Sequence, residues 1–129
     1  MDCEEFILSL KPEQITQINI LNWLSKFNPL ARKLIIKIGN EGKHTISGHR
    51  VNSRMGLHKA ASDLLLPMKN KNYCGLFIEI KKDGWECSGK KEAKHVNEQL
   101  EFIELMKGQG YWGEMIVGFD NGVYCIKNY

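Results

Sequence analysis

The sequence predicts an α/β fold in which a mixed central sheet is flanked by helices. Two long segments carry apolar residues at helical spacing, several short segments alternate at strand spacing, and the two kinds are interleaved along the chain. With 129 residues and 43% hydrophobic side chains, the chain fits one domain, 1–129. A domain of this size needs neither a disulfide nor a structural metal to hold its core.

The first half of the chain predicts a helix, a strand and a long loop. The helix runs from about 12 to 26, because it opens on Pro-Glu, repeats apolar residues every three to four positions and ends at an Asn-Pro break. The β-branched run KLIIKIGN predicts a strand from about 33 to 38. Residues 39–60, rich in glycine, histidine and cations, predict a long basic loop with at most one helical turn.

The second half predicts four strands and one helix. SDLLLP and CGLFIEIKK are two short strands separated by a polar turn. A helix follows over 91–107, and its buried stripe is expected to contain Val96, Leu100, Ile103 and Met106. GEMIVGF and GVYCIKNY are two further strands, joined by a hairpin turn at Asp120-Asn121-Gly122.

Basic side chains are concentrated in the second quarter of the chain. Residues 31–59 carry seven of them against Glu41 alone, although the net charge of the whole chain is only +3. This pattern is typical of a surface that meets phosphate, but a solvated lysine-rich loop would look the same.

Membrane and secretion signals are lacking in the sequence. No apolar run reaches the roughly 18 residues that a membrane helix needs, and the start, MDCEEFILSL, is acidic where a signal peptide is basic. We therefore expect a cytoplasmic location, in a bacterial cell or a phage-infected host, and no membrane association. The four cysteines are widely spaced without a CxxC pair, which favours free thiols over a zinc or redox site.

The segment Glu79-Ile80-Lys81 contains the strongest candidates for functional residues. Residues two apart on a strand share a face, so Glu79 and Lys81 point the same way. Asp63 lies sixteen residues before Glu79, on a strand that would pair antiparallel and bring the two carboxylates together. Converging carboxylates suit Mg²⁺ or Mn²⁺, although the residues alone equally allow an exposed Glu–Lys salt bridge.

The ordered set of these segments resembles a known nuclease domain. RMGLHKAASDLLLP, GLFIEIKK and EQLEFIELMKGQGYWGEMIVGF are similar to the virus-type replication-repair nuclease (VRR-NUC) domain of the PD-(D/E)xK nuclease superfamily. Gln99 and Gly110 stand at the family's spacing, PEQITQINILNWL resembles its first helix, and IGNEG resembles its Asn-Gly segment. The resemblance covers residues from about 12 to 127 and implies a restriction-endonuclease-like core.

The resemblance also implies roles for individual residues. Asp63 and Glu79 would bind Mg²⁺ or Mn²⁺ together with the Ile80 backbone carbonyl, with Glu13 as a further metal contact. Lys81 would position the attacking water, and Gln99 would orient Lys81 or the water. For Glu13 the alternative is a first-turn acid favoured by the helix dipole, and for Gln99 it is a polar surface residue.

The same resemblance implies a DNA substrate. The link between Lys81 and Gln99 is longer than is usual in the family, and its cations would add DNA-contacting surface. The expected DNA-binding residues are Lys43, Arg50, Arg54, Lys59, Lys90, Lys91 and Lys94.

The expected function is a metal-dependent endonuclease without a nucleotide cofactor, in particular a Holliday-junction-resolving homodimer of phage type. The alternatives are a flap-specific, fork-specific or restriction-like nuclease, and a catalytically silent nucleic-acid-binding module. Trp85 and Trp112 are candidates for stacking on bases, or for core and dimer contacts.

Overall fold

Four strands form one mixed sheet, with six helices around it, in the residues that the computed structural model describes, 2–38 and 46–129. In chain order the elements are α1 (Cys3–Leu8), α2 (Pro12–Phe27), α3 (Pro29–Leu34), β1 (Ile36–Lys37), α4 (Ile46–Arg54), β2 (Leu64–Leu66), β3 (Leu76–Lys81), α5 (Gly89–Lys107), β4 (Trp112–Val117) and α6 (Gly118–Asn128). No helix in these two stretches is long and apolar enough to cross a membrane.

The sheet order is β1-β2-β3-β4. The first two pairings are antiparallel, whereas β3 and β4 run parallel. A parallel pair requires a long crossover connection, which α5 supplies between β3 and β4. The predicted mixed sheet flanked by helices is therefore confirmed.

β3 separates the aliphatic core from a polar face. Leu76, Ile78 and Ile80 are buried in the core, together with side chains of α2, α3 and α6. The alternate residues face α5: the ring of Phe77 lies 5.4 Å from the ring of Phe102 in an edge-on contact. Glu79 and Lys81 share that second face because side chains alternate along a strand.

The helix predicted over 12–26 is confirmed as α2, and the helix over 91–107 as α5. The strands predicted in SDLLLP, CGLFIEIKK and GEMIVGF are confirmed as β2, β3 and β4. The buried stripe of α5 differs in two positions: Leu100 is 42% exposed and Met106 is only half-buried, whereas Gln99, next to Leu100, is buried. All four cysteines are free, as predicted.

The strand predicted over 33–38 is mostly wrong. Asn28-Pro29 does not end the helical part of the chain, because the Asn28 side chain accepts a hydrogen bond from the Ala31 amide and caps a second helix, α3. Pro29 suits the first position of that helix. Only the two residues of β1 remain as strand.

The long loop predicted over 39–60 is partly replaced by a helix. Residues 46–54 form α4, nine residues long, where at most one helical turn was expected. Residues 39–45 lie outside the described part of the chain, and with them Lys43 and all of the IGNEG segment except Ile38. The helix α1 was not predicted at all.

The C-terminal hairpin is wrong, because residues 118–128 form the single helix α6. The Asp-Asn-Gly sequence that suggested a turn lies in the first half of this helix. A Cβ added to Gly122 would come within 2.7 Å of Ile20 Cδ1 and 3.1 Å of Ile116 Cδ1. The glycine is thus needed for the close approach of α6 to α2 and β4, rather than for a turn.

Gly122→Val is therefore expected to lower the free energy of unfolding by about 2 kcal/mol, because overpacking a filled core displaces its neighbours. Urea denaturation of both proteins measures the difference. The matched control on the same helix is Tyr124→Ala, which removes an exposed ring and should cost no more than about 0.5 kcal/mol. Equal stability of Gly122→Val and wild type would contradict the tight packing of α6.

Candidate active site

Asp63 and Glu79 meet because of the register of β2 and β3. Leu64 pairs with Ile78 in an antiparallel ladder, so the next pair outward is Asp63 with Glu79. The Asp63 side chain also binds the backbone of β3, because its Oδ2 accepts a hydrogen bond of 2.7 Å from the Ile80 amide. The sequence prediction that these two carboxylates converge is confirmed as geometry.

Glu79 is a buried carboxyl group, with only 4% of its surface exposed. Its pKa is raised from 4.5 to about 8, chiefly because burial disfavours the charged form and next because the negative charge of Asp63 is close. A hydrogen bond between the two side chains acts in the same direction, whereas the charge of Lys81 opposes it. Oε2 of Glu79 is buried without a hydrogen-bond partner.

Gln99 connects the residues of this site. Its Oε1 accepts a hydrogen bond of 2.9 Å from Lys81 Nζ, and its Nε2 donates one of 2.7 Å to Glu79 Oε1. The same Nε2 lies 3.2 Å from His95 Nε2, one helical turn earlier on α5. Because Gln99 is 6% exposed, the alternative that it is a surface residue is wrong.

The site opens to solvent through a cavity of roughly 260 Å³ between α2, α5 and the ends of β2 and β3. All six residues proposed for metal binding and catalysis lie in its lining. The lining consists of Glu13, Gln14, Gln17, Asp63, Glu79, Ile80, Lys81, His95 and Gln99.

Gln14 and His95 were not assigned to the site from the sequence. His95 precedes Gln99 by four residues, so helical spacing alone would have placed both on one face of α5. Gln14 follows Glu13 directly and lines the cavity beside it. No sequence signal distinguished it from the other polar residues of α2.

The oxygen atoms of the site suit a hard divalent cation. Two neighbouring carboxylates, one with an unpartnered buried oxygen, create a local excess of negative charge that Mg²⁺ or Mn²⁺ would neutralise. Within the described ranges no three His, Cys, Asp or Glu side chains cluster closely enough to form a full metal cage. Mg²⁺ in enzymes is usually held by one or two carboxylates and the substrate phosphate and keeps several waters, and Asp63 with Glu79 supplies two carboxylates.

The cations expected to contact DNA are exposed wherever the structure describes them. Arg50 and Arg54 lie on α4, and the cluster Lys90, Lys91 and Lys94 lies in the first two turns of α5. Lys91 is four residues before His95, so it lies on the face of α5 that leads to the site.

Lys59 lines a separate cavity with His58, Glu98 and Phe102. Lys43 lies outside the described residues.

Comparison with known proteins gives one informative match. No protein-family model matches the sequence, and no curated protein matches it either. A solved structure described as a VRR_NUC domain protein aligns with 94% of this chain and 89% of its own, with a TM-score of 0.70 and 26% sequence identity. The likeness therefore extends over nearly the whole chain. This likeness supports the resemblance to the VRR-NUC domain family and to a nuclease-type domain.

Proposed function

We propose that the chain is a divalent-metal-dependent endonuclease that hydrolyses phosphodiester bonds in DNA. The observation that carries the proposal is the convergence of Asp63, Glu79 and Lys81 around the buried amide of Gln99 in one open cavity. The likeness to a VRR_NUC domain protein adds support from comparison, and we take DNA as the substrate on that basis.

The metal ligands in this proposal are the Asp63 and Glu79 carboxylates and the Ile80 backbone carbonyl, with Glu13 at the cavity wall as a further contact. When bound, Mg²⁺ or Mn²⁺ would activate water and neutralise charge on the scissile phosphate. Burial, followed by the negative charge of Asp63, raises the pKa of Glu79, and a bound cation would offset both effects by favouring the charged carboxylate.

Lys81 would orient the attacking water by donating a hydrogen bond to it and would offset the charge of the phosphate. Its ammonium is directed by the hydrogen bond to Gln99 Oε1, and the same amide fixes Glu79 Oε1. Gln99 thereby sets the spacing between the water-orienting group and a metal ligand, which is the geometry that water attack requires.

Cations around the site would hold the DNA backbone. The first turns of α5 present Lys90, Lys91 and Lys94, and helix N-termini favour phosphate. Arg50 and Arg54 on α4, together with Lys59, would add further contacts to DNA phosphates. Lys43 lies outside the described residues and is proposed as a DNA contact from the sequence alone.

The substrate in this proposal is branched DNA, cleaved by a homodimer that resolves Holliday junctions. Two sites related by a twofold axis suit paired cuts on a four-way junction. Phe27, Leu30 and Ile36 are exposed apolar side chains close together in sequence, and Ile36 lies on the edge strand β1, so they would suit a contact with a second copy. Flap-specific, fork-specific and restriction-like cleavage remain the competing substrate classes.

Cleavage of a DNA panel tests the proposal. Junction, flap, fork and linear duplex substrates are incubated with Mg²⁺, Mn²⁺ or EDTA, product ends are mapped, and the mass in solution is measured by light scattering. Metal-dependent paired cuts in junctions by a dimer are expected. Salt-sensitive binding, with a log–log slope of roughly −0.9 per phosphate contact, and no cleavage of any substrate would instead identify a silent binding module.

A further inference from the structure

We propose that Trp85, anchored by Glu92, is a positioning residue that holds the Lys81 ammonium in the geometry needed for cleavage. The inference deepens the proposed nuclease function and rests on it. It concerns the link between β3 and α5, the part of the chain that is longer than is usual in the family.

The ammonium of Lys81 lies between two groups. Its Nζ is 5.2 Å from the centroid of the Trp85 ring, within the range of a cation–π interaction. The same Nζ also donates a hydrogen bond of 2.9 Å to Gln99 Oε1. A flexible lysine chain is thus restrained by an aromatic face and an amide oxygen together.

Trp85 is itself fixed by Glu92 in the first turn of α5. The indole Nε1–H donates a hydrogen bond of 2.7 Å to Glu92 Oε1. The other carboxylate oxygen accepts from the amide of Ser88 at 3.2 Å and from its hydroxyl at 3.1 Å. Because both oxygens of Glu92 are engaged, the ring orientation is tied to the start of the helix that carries Gln99.

The chain contains a matched arrangement away from the site. The ring of Trp112 has Lys107 Nζ at 4.4 Å from its centroid, and its Nε1–H donates to Glu114 Oε1 at 3.0 Å. Trp112 begins β4 opposite Leu76, whereas Lys81 at the site lies opposite Val117 at the other end of the parallel pair. Lys107 also forms an ion pair with Glu104. The same Lys–Trp–Glu contacts, located away from the candidate active site, provide an internal control.

Steady-state cleavage of the junction substrate separates positioning from DNA stacking. Trp85→Leu and Glu92→Gln are expected to lower kcat about ten-fold and about three-fold, with KM nearly unchanged, because the cation–π restraint acts on Lys81 and not on DNA. Trp85→Phe, which keeps an aromatic face, should retain kcat within about three-fold. Glu114→Gln is the control and should leave both constants unchanged.

A change in KM without a change in kcat would overturn the inference. If Trp85→Leu raised KM and the DNA dissociation constant while kcat stayed constant, the ring would be stacking on bases. Unchanged kcat and KM in Trp85→Leu would remove any role in the reaction.

Indole NMR tests the contact without DNA or metal. The ¹H–¹⁵N indole resonance of Trp85, assigned by its loss in Trp85→Phe, is expected to shift in Lys81→Met and in Glu92→Gln. Lys107→Met should shift the Trp112 indole resonance and leave that of Trp85 in place. An unmoved Trp85 resonance in Lys81→Met would overturn the inference.

The two proposals fail in distinguishable ways. A wild-type protein that is inert on every substrate, with the Trp85 contact intact by NMR, refutes the nuclease function and the role of Trp85 in it. An active wild type whose kcat is unaffected by Trp85→Leu refutes the positioning role alone.

Discussion

Glu79→Gln should lower the metal-dependent cleavage rate at least about 10³-fold, while DNA binding in the absence of metal is retained. The substitution keeps the shape of the side chain and the acceptor for Gln99 Nε2. It removes the charge that would pair with a divalent cation beside Asp63. Single-turnover cleavage and fluorescence anisotropy with labelled junction DNA measure the two properties separately.

The control for this loss is Glu104→Gln, on the outer surface of α5. Glu104 forms an exposed ion pair with Lys107, and its neutralisation should leave the cleavage rate unchanged. Lys81→Met is expected to reduce the rate as severely as Glu79→Gln, since the water then loses its orienting donor. Residual cleavage above one tenth of the wild-type rate in Glu79→Gln would place the active site elsewhere.

The second large effect is on stability without metal. Glu79 has a pKa raised from 4.5 to about 8 in the folded protein, so the folded state holds a proton that the unfolded state releases between these values. Stability therefore falls as the pH rises from about 4.5 to 8 and is constant above that, because the unfolded state binds fewer protons in this window.

Glu79→Gln should abolish this loss and be more stable than wild type at pH 8.5 by roughly 2–3 kcal/mol. Each pKa unit corresponds to about 1.4 kcal/mol, and relaxation of the charged site reduces the full difference. At pH 4 the two proteins should have nearly equal stability. Urea denaturation in EDTA at a series of pH values measures the difference, and Glu104→Gln should follow the wild-type curve.

Added Mg²⁺ provides the complementary measurement. A cation that binds only the folded state raises the free energy of unfolding, and it should do so for wild type at pH 8.5 far more than for Glu79→Gln. A wild type that is as stable at pH 8.5 as at pH 5 in EDTA would show that the pKa of Glu79 is not raised in the folded protein.

The sheet and the two carboxylates were predictable because they depend on local patterns. Alternation in GLFIEIKK determines which β3 side chains share a face, and antiparallel pairing with SDLLLP then brings Asp63 to Glu79. Gln99 followed only from the spacing of the family motif. The spacing of apolar residues in α5 predicts Leu100 in the buried stripe. This spacing cannot show that the neighbouring Gln99 has polar partners on the sheet and is therefore the residue that is buried.

The errors have a common physical cause, which is that tertiary packing overrides local signals. Asp120-Asn121-Gly122 has the composition of a hairpin turn, but Gly122 is selected by its close contact with Ile20 and Ile116. Pro29 is compatible with the end of one helix and with the start of the next. The next helix forms because the Asn28 side chain accepts a hydrogen bond from the Ala31 amide and caps it. Neither contact can be read from neighbouring residues alone.

β3 contributes side chains both to the hydrophobic core and to the candidate active site. The strand that carries Glu79 and Lys81 is buried along almost its whole length, so it should open only when the entire protein unfolds. The arrangement of the carboxylates is therefore the same for every DNA that reaches it. In the proposed nuclease, discrimination between DNA shapes would therefore be made at the periphery, by α4, by the link before α5 and by the proposed second copy, before the phosphate reaches the sheet.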